Sequence, residues 1–189
     1  MPALPVTVLE MQPTRAETSV EAVAQTEGAR EVEVRARVGG ILMKRVYEEG
    51  AAVKAGQPLF LIDRAPLEVA VAQAKAQLAE SKARVEQTQR EATRLKGLLA
   101  QQAISQREYD TATSDNAATL AAVQAAQANL RQAELNLSYA TVTAPVSGIT
   151  GRAAVSEGTL VASGSGTLLT TVVQVNPIWV RFSVAESEL

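Results

Sequence analysis

The sequence contains no cysteine and no histidine. Zinc sites built on either residue are thereby excluded, as are Cys/His nucleophiles and any Ser-His-Asp triad. No disulfide framework is available. Exported proteins can lack one too, so the redox compartment stays open. Aromatic residues make up only 3 % of the chain against 47 % apolar residues, and much of the apolar share is alanine between 70 and 135. Such a set suits slender, closely packed helices rather than a thick core of large side chains. Charge of one sign is never concentrated: the formal net charge is -2 and no single-sign run reaches five residues. No basic stripe with interleaved aromatics is present, which argues against nucleic acid or an anionic membrane surface as the main partner. No stretch approaches the ~18 apolar residues of a membrane span. The N-terminal MPALPVTVLE lacks the basic-then-apolar pattern of a signal peptide. The chain reads as a piece of a longer protein, with Met1 added, a targeting segment removed, and a strand at VRFSVAESEL leading onward.

Three regions follow one another. Residues 4–64 read as β structure. Val6, Val8, Val20 and Val23 fall in short alternating stretches, and Val32, Val34 and Ala36 alternate with charged residues before Val38. Gly39-Gly40, Glu49-Gly50 and Gly56 punctuate this region as turns, and the strand-like LFLI at 59–62 stops at Asp63. Residues 66–138 read as helix with one interruption. Pro66 suits the first helical position. Small or apolar residues then recur at heptad spacing: Val71, Ala74, Leu78, Ser81, Val85, Thr88, Ala92, Leu95, Leu99. Glu80–Arg84 and Glu86–Arg90 are spaced i,i+4 with the acid first, the better orientation. The interruption is AQQAIS. There Ser105 and Glu108 form a capping-box signature, and Ile104 and Tyr109 hold the positions of a hydrophobic staple. A second helix should begin at 106, with the seam Tyr109, Ala112, Asn116, Thr119, Val123, Ala126, Leu130, Ala133, Leu137. Two heptad helices of nearly equal length, joined by a short link, form an antiparallel hairpin. Residues 141–189 return to β structure, with LLTTVV and IWVRFSV read as strands separated by a turn at Asn176-Pro177.

The β segments on either side of the hairpin resemble each other. VRARVGGILMKRVYEEGAAVKAGQPLFLI aligns with VTAPVSGITGRAAVSEGTLVASGSGTLLTTV on Val38-Gly39-Gly40-Ile41 and Val146-Ser147-Gly148-Ile149. Glu49-Gly50 then matches Glu157-Gly158. Two such half-motifs imply a pseudo-symmetric β-sandwich whose halves close on one another, with the hairpin leaving from their junction.

At this point the sequence resembles the periplasmic adaptor proteins, also called membrane fusion proteins, of resistance-nodulation-division type efflux pumps. The half-motifs resemble biotinyl/lipoyl domains. ATVTAPVSGITGRAAVSEGTLV is similar to the family's second lipoyl half, and NPIWVRFSVAESEL to its entry into a β-barrel. The resemblance implies an elongated multidomain α+β protein. Its parts would be a partial β-barrel (1–28 and 174–189), a split lipoyl-like domain (29–64 and 139–173) and an α-helical coiled-coil hairpin (65–138). It also implies that Arg94, Leu98 and Ser105, spaced four and then seven apart at the hairpin tip, contact a TolC-like outer-membrane channel. The implied partners are that channel, an inner-membrane transporter and further copies of the chain in a hexameric ring. The implied place is the periplasm, with the full-length protein anchored to the inner membrane. The family's membrane-proximal domain is not in this sequence.

The same residues also have roles in the fold alone. Ser105 caps a helix, Leu98 lies beside the seam, and Arg94 is a cation near a helix C-terminus, where positive charge is favoured. Met43-Lys44 resembles the Met-Lys of biotin carriers, but Lys44 follows the first Gly-Gly turn instead of sitting at the junction of the halves, so it reads as a solvated lysine. Gly39-Gly40 and the GSG at 164–166 lack the spacing of phosphate-binding loops. Glu48, Glu49 and Glu157 sit in turn-like segments and are expected to be solvated. No catalytic, cofactor-binding or metal-ligating residue is predicted, and the chain reads as non-enzymatic. Three alternatives remain: an adaptor of an ABC-type exporter, a biotinyl/lipoyl carrier, and a structural coiled-coil module.

Overall fold

A computed structural model describes residues 23–163 and 167–183. The strands expected around Val6, Val8 and Val20, the GSG at 164–166 and the final VAESEL lie outside the described residues. The elements are β1 (Ala24–Arg35), β2 (Gly40–Arg45), β3 (Ala52–Val53), β4 (Pro58–Ile62), α1 (Ala65–Ala100), α2 (Gln106–Tyr139), β5 (Thr141–Thr143), β6 (Gly148–Thr150), β7 (Leu160–Val161) and β8 (Leu168–Phe182). The strands form two four-stranded antiparallel sheets, ordered β1-β8-β6-β3 and β5-β4-β2-β7. The alternation in EVEVRARV survives as geometry. Val34 and Ala36 are buried while Glu33, Arg35 and Arg37 are exposed. Leu42, Leu59, Phe60, Leu169 and Val172 fill the space between the sheets with no exposed surface. Tyr47 meets Phe60 edge to face at 5.2 Å.

The internal repeat becomes a two-fold exchange between the halves. Each pair of equivalent residues is separated by the same sequence offset, and each half hands its neighbour the bonds it receives. Gly50 N–H donates to the Thr150 carbonyl at 3.0 Å, and Gly158 N–H to the Leu42 carbonyl at 2.7 Å. Thr150 N–H returns to Ala51, and Leu42 N–H to Thr159. Strand β3 pairs with β6 and β7 pairs with β2, each half completing the other's sheet. The matched glycines have matched reasons. Gly50 and Gly158 adopt φ of 78° and 84°, a region that strongly favours glycine. Gly40 and Gly148 leave no room for a side chain: a Cβ at Gly148 would lie 2.3 Å from the Val173 carbonyl oxygen.

The glutamates of these turns are exposed, as expected, and two of them also bond across the halves. Glu49 accepts the Ala153 N–H at 3.0 Å and also pairs with Arg45. Its symmetry mate Glu157 accepts the Arg45 N–H at 2.8 Å. Each half therefore uses its turn carboxylate to satisfy an amide of the other half, although the carboxylates remain near the surface. Chiefly because of the Ala153 amide, the Glu49 carboxyl pKa lies below its ordinary value.

A correction concerns Asn176-Pro177, expected to be a turn between two strands. Instead β8 runs through it without a break and stays paired with β1 out to Ala24↔Phe182. Pro177 has no N–H to give to a ladder, and it falls where the register shifts, opposite the step from Gly28 to Arg30. Beyond Val173 only β1 flanks this strand among the described residues. In this outer ribbon Ile178, Trp179, Val180 and Phe182 are all half-exposed or more.

The hairpin joins β4 to β5, at the junction between the halves. Asp63 ends the strand and its carboxylate accepts the Ala65 N–H, starting α1, with Pro66 in the first turn, one place later than expected. Every residue of both expected seams is buried or half-buried, and most other positions on the arms are exposed. The helices are long, 36 and 34 residues, about 50 Å at 1.5 Å per residue. Midway, the seam turns polar. The Thr88 hydroxyl lies 2.8 Å from that of Thr119 and 3.1 Å from Asn116 Oδ1, while Asn116 Nδ2 donates to Gln89. A polar layer of this kind fixes register, because sliding the helices would leave its members unpaired. Of the expected i,i+4 pairs Glu86–Arg90 forms, at 3.9 Å, while Glu80 accepts a hydrogen bond from Gln77. At the root, the Arg37 guanidinium sits over the Tyr139 ring at 5.2 Å.

Candidate docking site at the hairpin tip

The tip is a five-residue link between two capped helices. Helix α1 ends at Ala100, and Gln102 takes the left-handed conformation at φ 56°. Its N–H donates to the Leu99 carbonyl at 2.9 Å, and the Ala103 N–H to the Leu98 carbonyl at 3.0 Å. This pair of bonds is a Schellman motif, built here on glutamine where glycine is usual. Nothing in the residue type announces it, and the left-handed conformation costs a non-glycine residue about 1–2 kcal/mol.

The next helix starts as the sequence indicates. The Ser105 hydroxyl accepts the Glu108 N–H at 3.3 Å, and the Glu108 carboxylate accepts the Ser105 N–H at 2.8 Å. The Ser105 hydroxyl also donates its proton to Glu108 at 2.9 Å. The box lowers the Glu108 carboxyl pKa, first through the Ser105 amide and then through the hydroxyl. Ile104 and Tyr109, the staple positions, are both half-buried. With a motif on each side, backbone groups that a helix end would otherwise leave unpaired are satisfied within the tip itself.

The three residues singled out by the resemblance sit at this end, two on α1 and one on the link. Arg94 lies in the penultimate turn, with its side chain 66 % exposed. Its guanidinium makes two bonds to the Glu91 carboxylate, at 2.6 and 2.8 Å. That pairing raises the Arg94 pKa further above its ordinary value. Leu98 is half-buried on the flank of the seam, and Ser105 is the N-cap. The polar partners of Arg94 and Ser105 are local, so the trio is held as points on a rigid tip rather than as a mutually bonded cluster. Glu91 is the residue that sequence reasoning missed. Its i,i+3 spacing to Arg94 was the available signal.

One residue of the tip packs against nothing among the described residues. Gly97 stands inside α1 between Arg94 and Leu98, and a Cβ placed on it would meet nothing within 4 Å. Glycine inside an exposed helix costs about 1 kcal/mol relative to alanine.

Elsewhere, Lys44 is exposed within strand β2 and not at the junction of the halves. Among the described residues no group of three or more acidic side chains converges as a metal site would require. No helix among them is long and apolar enough to cross a membrane.

A family model described as the barrel-sandwich hybrid domain of RND membrane fusion proteins matches residues 30–173. The chain belongs to this family. The efflux pump periplasmic linker BepD of Brucella suis is 44 % identical over 182 residues, covering 96 % of this chain and 46 % of that protein. The multidrug efflux pump subunit AcrA of Escherichia coli is 40 % identical over 188 residues, covering 100 % and 47 %. The chain thus spans about half the length of these relatives. Among solved structures, a MacA-MexA chimera containing the Pseudomonas aeruginosa MexA α-hairpin is similar at 31 % identity and a TM-score of 0.58. That match covers 88 % of this chain and 57 % of the chimera. A sandwich interrupted by a hairpin is thus a membrane fusion protein architecture.

Proposed function

We propose that this chain is the channel-reaching part of a non-enzymatic periplasmic adaptor that links an inner-membrane resistance-nodulation-division transporter to a TolC-like outer-membrane channel. In this reading Arg94, Leu98 and Ser105 meet the channel. Copies of the sandwich pack side by side in a hexameric ring, and the full-length protein is anchored to the inner membrane. Residues 1–28 and 174–189 belong to a β-barrel toward the transporter, 29–64 and 139–173 to the lipoyl-like domain, and 65–138 to the hairpin.

The observation that carries the reading is the construction of the tip. Its backbone is closed by its own caps, its register is fixed by the polar layer below, and an arginine is held outward by Glu91. Such a tip presents side chains about 50 Å from the sandwich without needing a partner to fold. The names of the relatives, a periplasmic linker and a multidrug efflux pump subunit, support the same role. The adaptor needs no chemistry of its own, and the transporter supplies the energy.

The test is cross-linking from single cysteines placed at Arg94 or Ser105 to a purified TolC-type channel, with a cysteine at Glu80 as mid-hairpin control. Tip-specific adducts are expected. Equal labelling from Glu80, or none from the tip of a folded protein, would contradict the proposal.

A further inference from the structure

The hairpin is fastened to the sandwich at two neighbouring strand ends. Helix α1 leaves β4 through Asp63 and Arg64, and α2 enters β5 through the single residue Ala140. Strands β4 and β5 are paired neighbours in one sheet. Backbone bonds pin both connections: Ile62 N–H donates to the Ala140 carbonyl at 2.8 Å, and Asp63 N–H to the Ile41 carbonyl at 2.9 Å. Leu67 packs the first turn of α1 on the core, and Ala140 is fully buried. Among the described residues, β5 is the only strand whose backbone comes near either helix. Two attachments side by side define a line, and a rod held along a line can rock about it.

The opposite sheet reaches the hairpin by a side chain. Strand β1 is the edge of that sheet, as β5 is of the other. The two edges border a groove of about 810 Å³, with Arg37 on the β1 side and Ser138, Tyr139 and Thr141 on the other. Arg37 stands two residues beyond β1, and Tyr139 is the last residue of α2. The guanidinium lies over the Tyr139 ring at 5.2 Å, inside the ~6 Å reach of a cation on an aromatic face. Glu33, which also lines the groove, is paired with Arg35 at 2.8 Å.

The geometry points to Arg37 as a positioning residue that acts through Tyr139 to aim the hairpin. This contact is a third attachment, made from the other sheet and off the line of the first two. A cation on an exposed ring favours the arrangement that makes it by about two- to fivefold in population. The long arms magnify the result: a swing of about 10° at the root moves the tip by roughly 9 Å over an arm of about 50 Å. The inference concerns the direction of the hairpin and holds whatever the tip meets.

The test is the order of the hairpin relative to the sandwich, read from residual dipolar couplings of the whole chain in a dilute aligning medium. Wild type is compared with Arg37→Ala, Arg37→Lys, Tyr139→Leu and Tyr139→Phe. In wild type the amides of both regions should fit one alignment tensor. In Arg37→Ala and Tyr139→Leu the two regions should differ in alignment magnitude by about a fifth or more. Arg37→Lys and Tyr139→Phe keep a cation and a ring and should stay near wild type. Arg37 is exposed, so Arg37→Ala should keep the circular dichroism of wild type. One shared tensor in folded Arg37→Ala, or separate tensors already in wild type, would overturn the inference. So would loosening by only one of Arg37→Ala and Tyr139→Leu. Equal loosening in all four variants would also overturn it, because the effect would then not depend on a cation over a ring.

Discussion

In the sandwich, Leu42, Leu59, Phe60 and Leu169 are wholly withdrawn from solvent, whereas along both arms of the hairpin only Val71, Ala112 and Ala126 are buried. The sandwich is held by a packed core and by a two-fold exchange of backbone bonds between sequence-distant halves. The hairpin is held by local means: helix hydrogen bonds, a narrow seam, one polar layer and two caps. Each seam residue contributes less because it buries less. The hairpin is consequently the part whose surface can change freely while the fold persists, and the part from which a docking surface can be built. The sandwich tolerates little, because a change in either half disturbs bonds that the other half depends on.

Removing one large side chain from each region separates the two most strongly. Phe60→Ala should destabilise the protein by about 3–5 kcal/mol, whereas Leu95→Ala in the half-buried seam should cost about 1–2 kcal/mol. Urea unfolding followed by circular dichroism measures both. Equal losses would erase the distinction between the regions. Next in size is the cap. Ser105→Ala removes the hydroxyl that takes the Glu108 amide and should cost about 1 kcal/mol, read as faster amide exchange in the first turn of α2 with the sandwich unaffected.

Gln102→Gly works in the opposite direction. Relieving the left-handed glutamine should stabilise the tip by about 0.5–1 kcal/mol, visible as slower exchange of the Gln102 and Ala103 amides. Unchanged or faster exchange would show that the Schellman geometry is not limiting.

The smallest effect concerns acid. The Glu49 carboxyl pKa is lowered in the folded protein, so its contribution is present above the ordinary carboxylate pKa and is lost as pH falls through the lowered folded value. Glu49→Gln should leave a shallower fall in thermal midpoint over that acidic range. An identical pH profile would mean that the cross-half bond adds nothing to stability.

How much of this could be read beforehand depended on whether the determinant is local. The seam from Val71 to Leu99 and from Tyr109 to Leu137 is a pattern along one chain segment, and every position of it lies inward. The Ser105–Glu108 box needs only three-residue spacing, and it forms. The repeat is visible through its glycines, since positive φ at Gly50 and Gly158 strongly favours that residue. What escaped were features decided by another part of the chain. The reciprocal use of Glu49 and Glu157 requires knowing that the halves interlock. Strand β8 passes through Pro177 because a register shift against β1 accommodates it, whereas a proline between two apolar runs ordinarily signals a turn. At the tip, Arg94 and Ser105 stand out through the family resemblance, whereas the roles of Glu91 and the left-handed Gln102 depend on the folded helix end.

The sandwich carries the fold, and in the proposed function the tip carries recognition. Hydrogen–deuterium exchange of the protein with and without a purified TolC-type channel tests it most directly. Added protection is expected at the tip, from the last turns of α1 through the first turn of α2, with the middle of both arms unchanged. Protection absent from the tip, with channel bound, would contradict it.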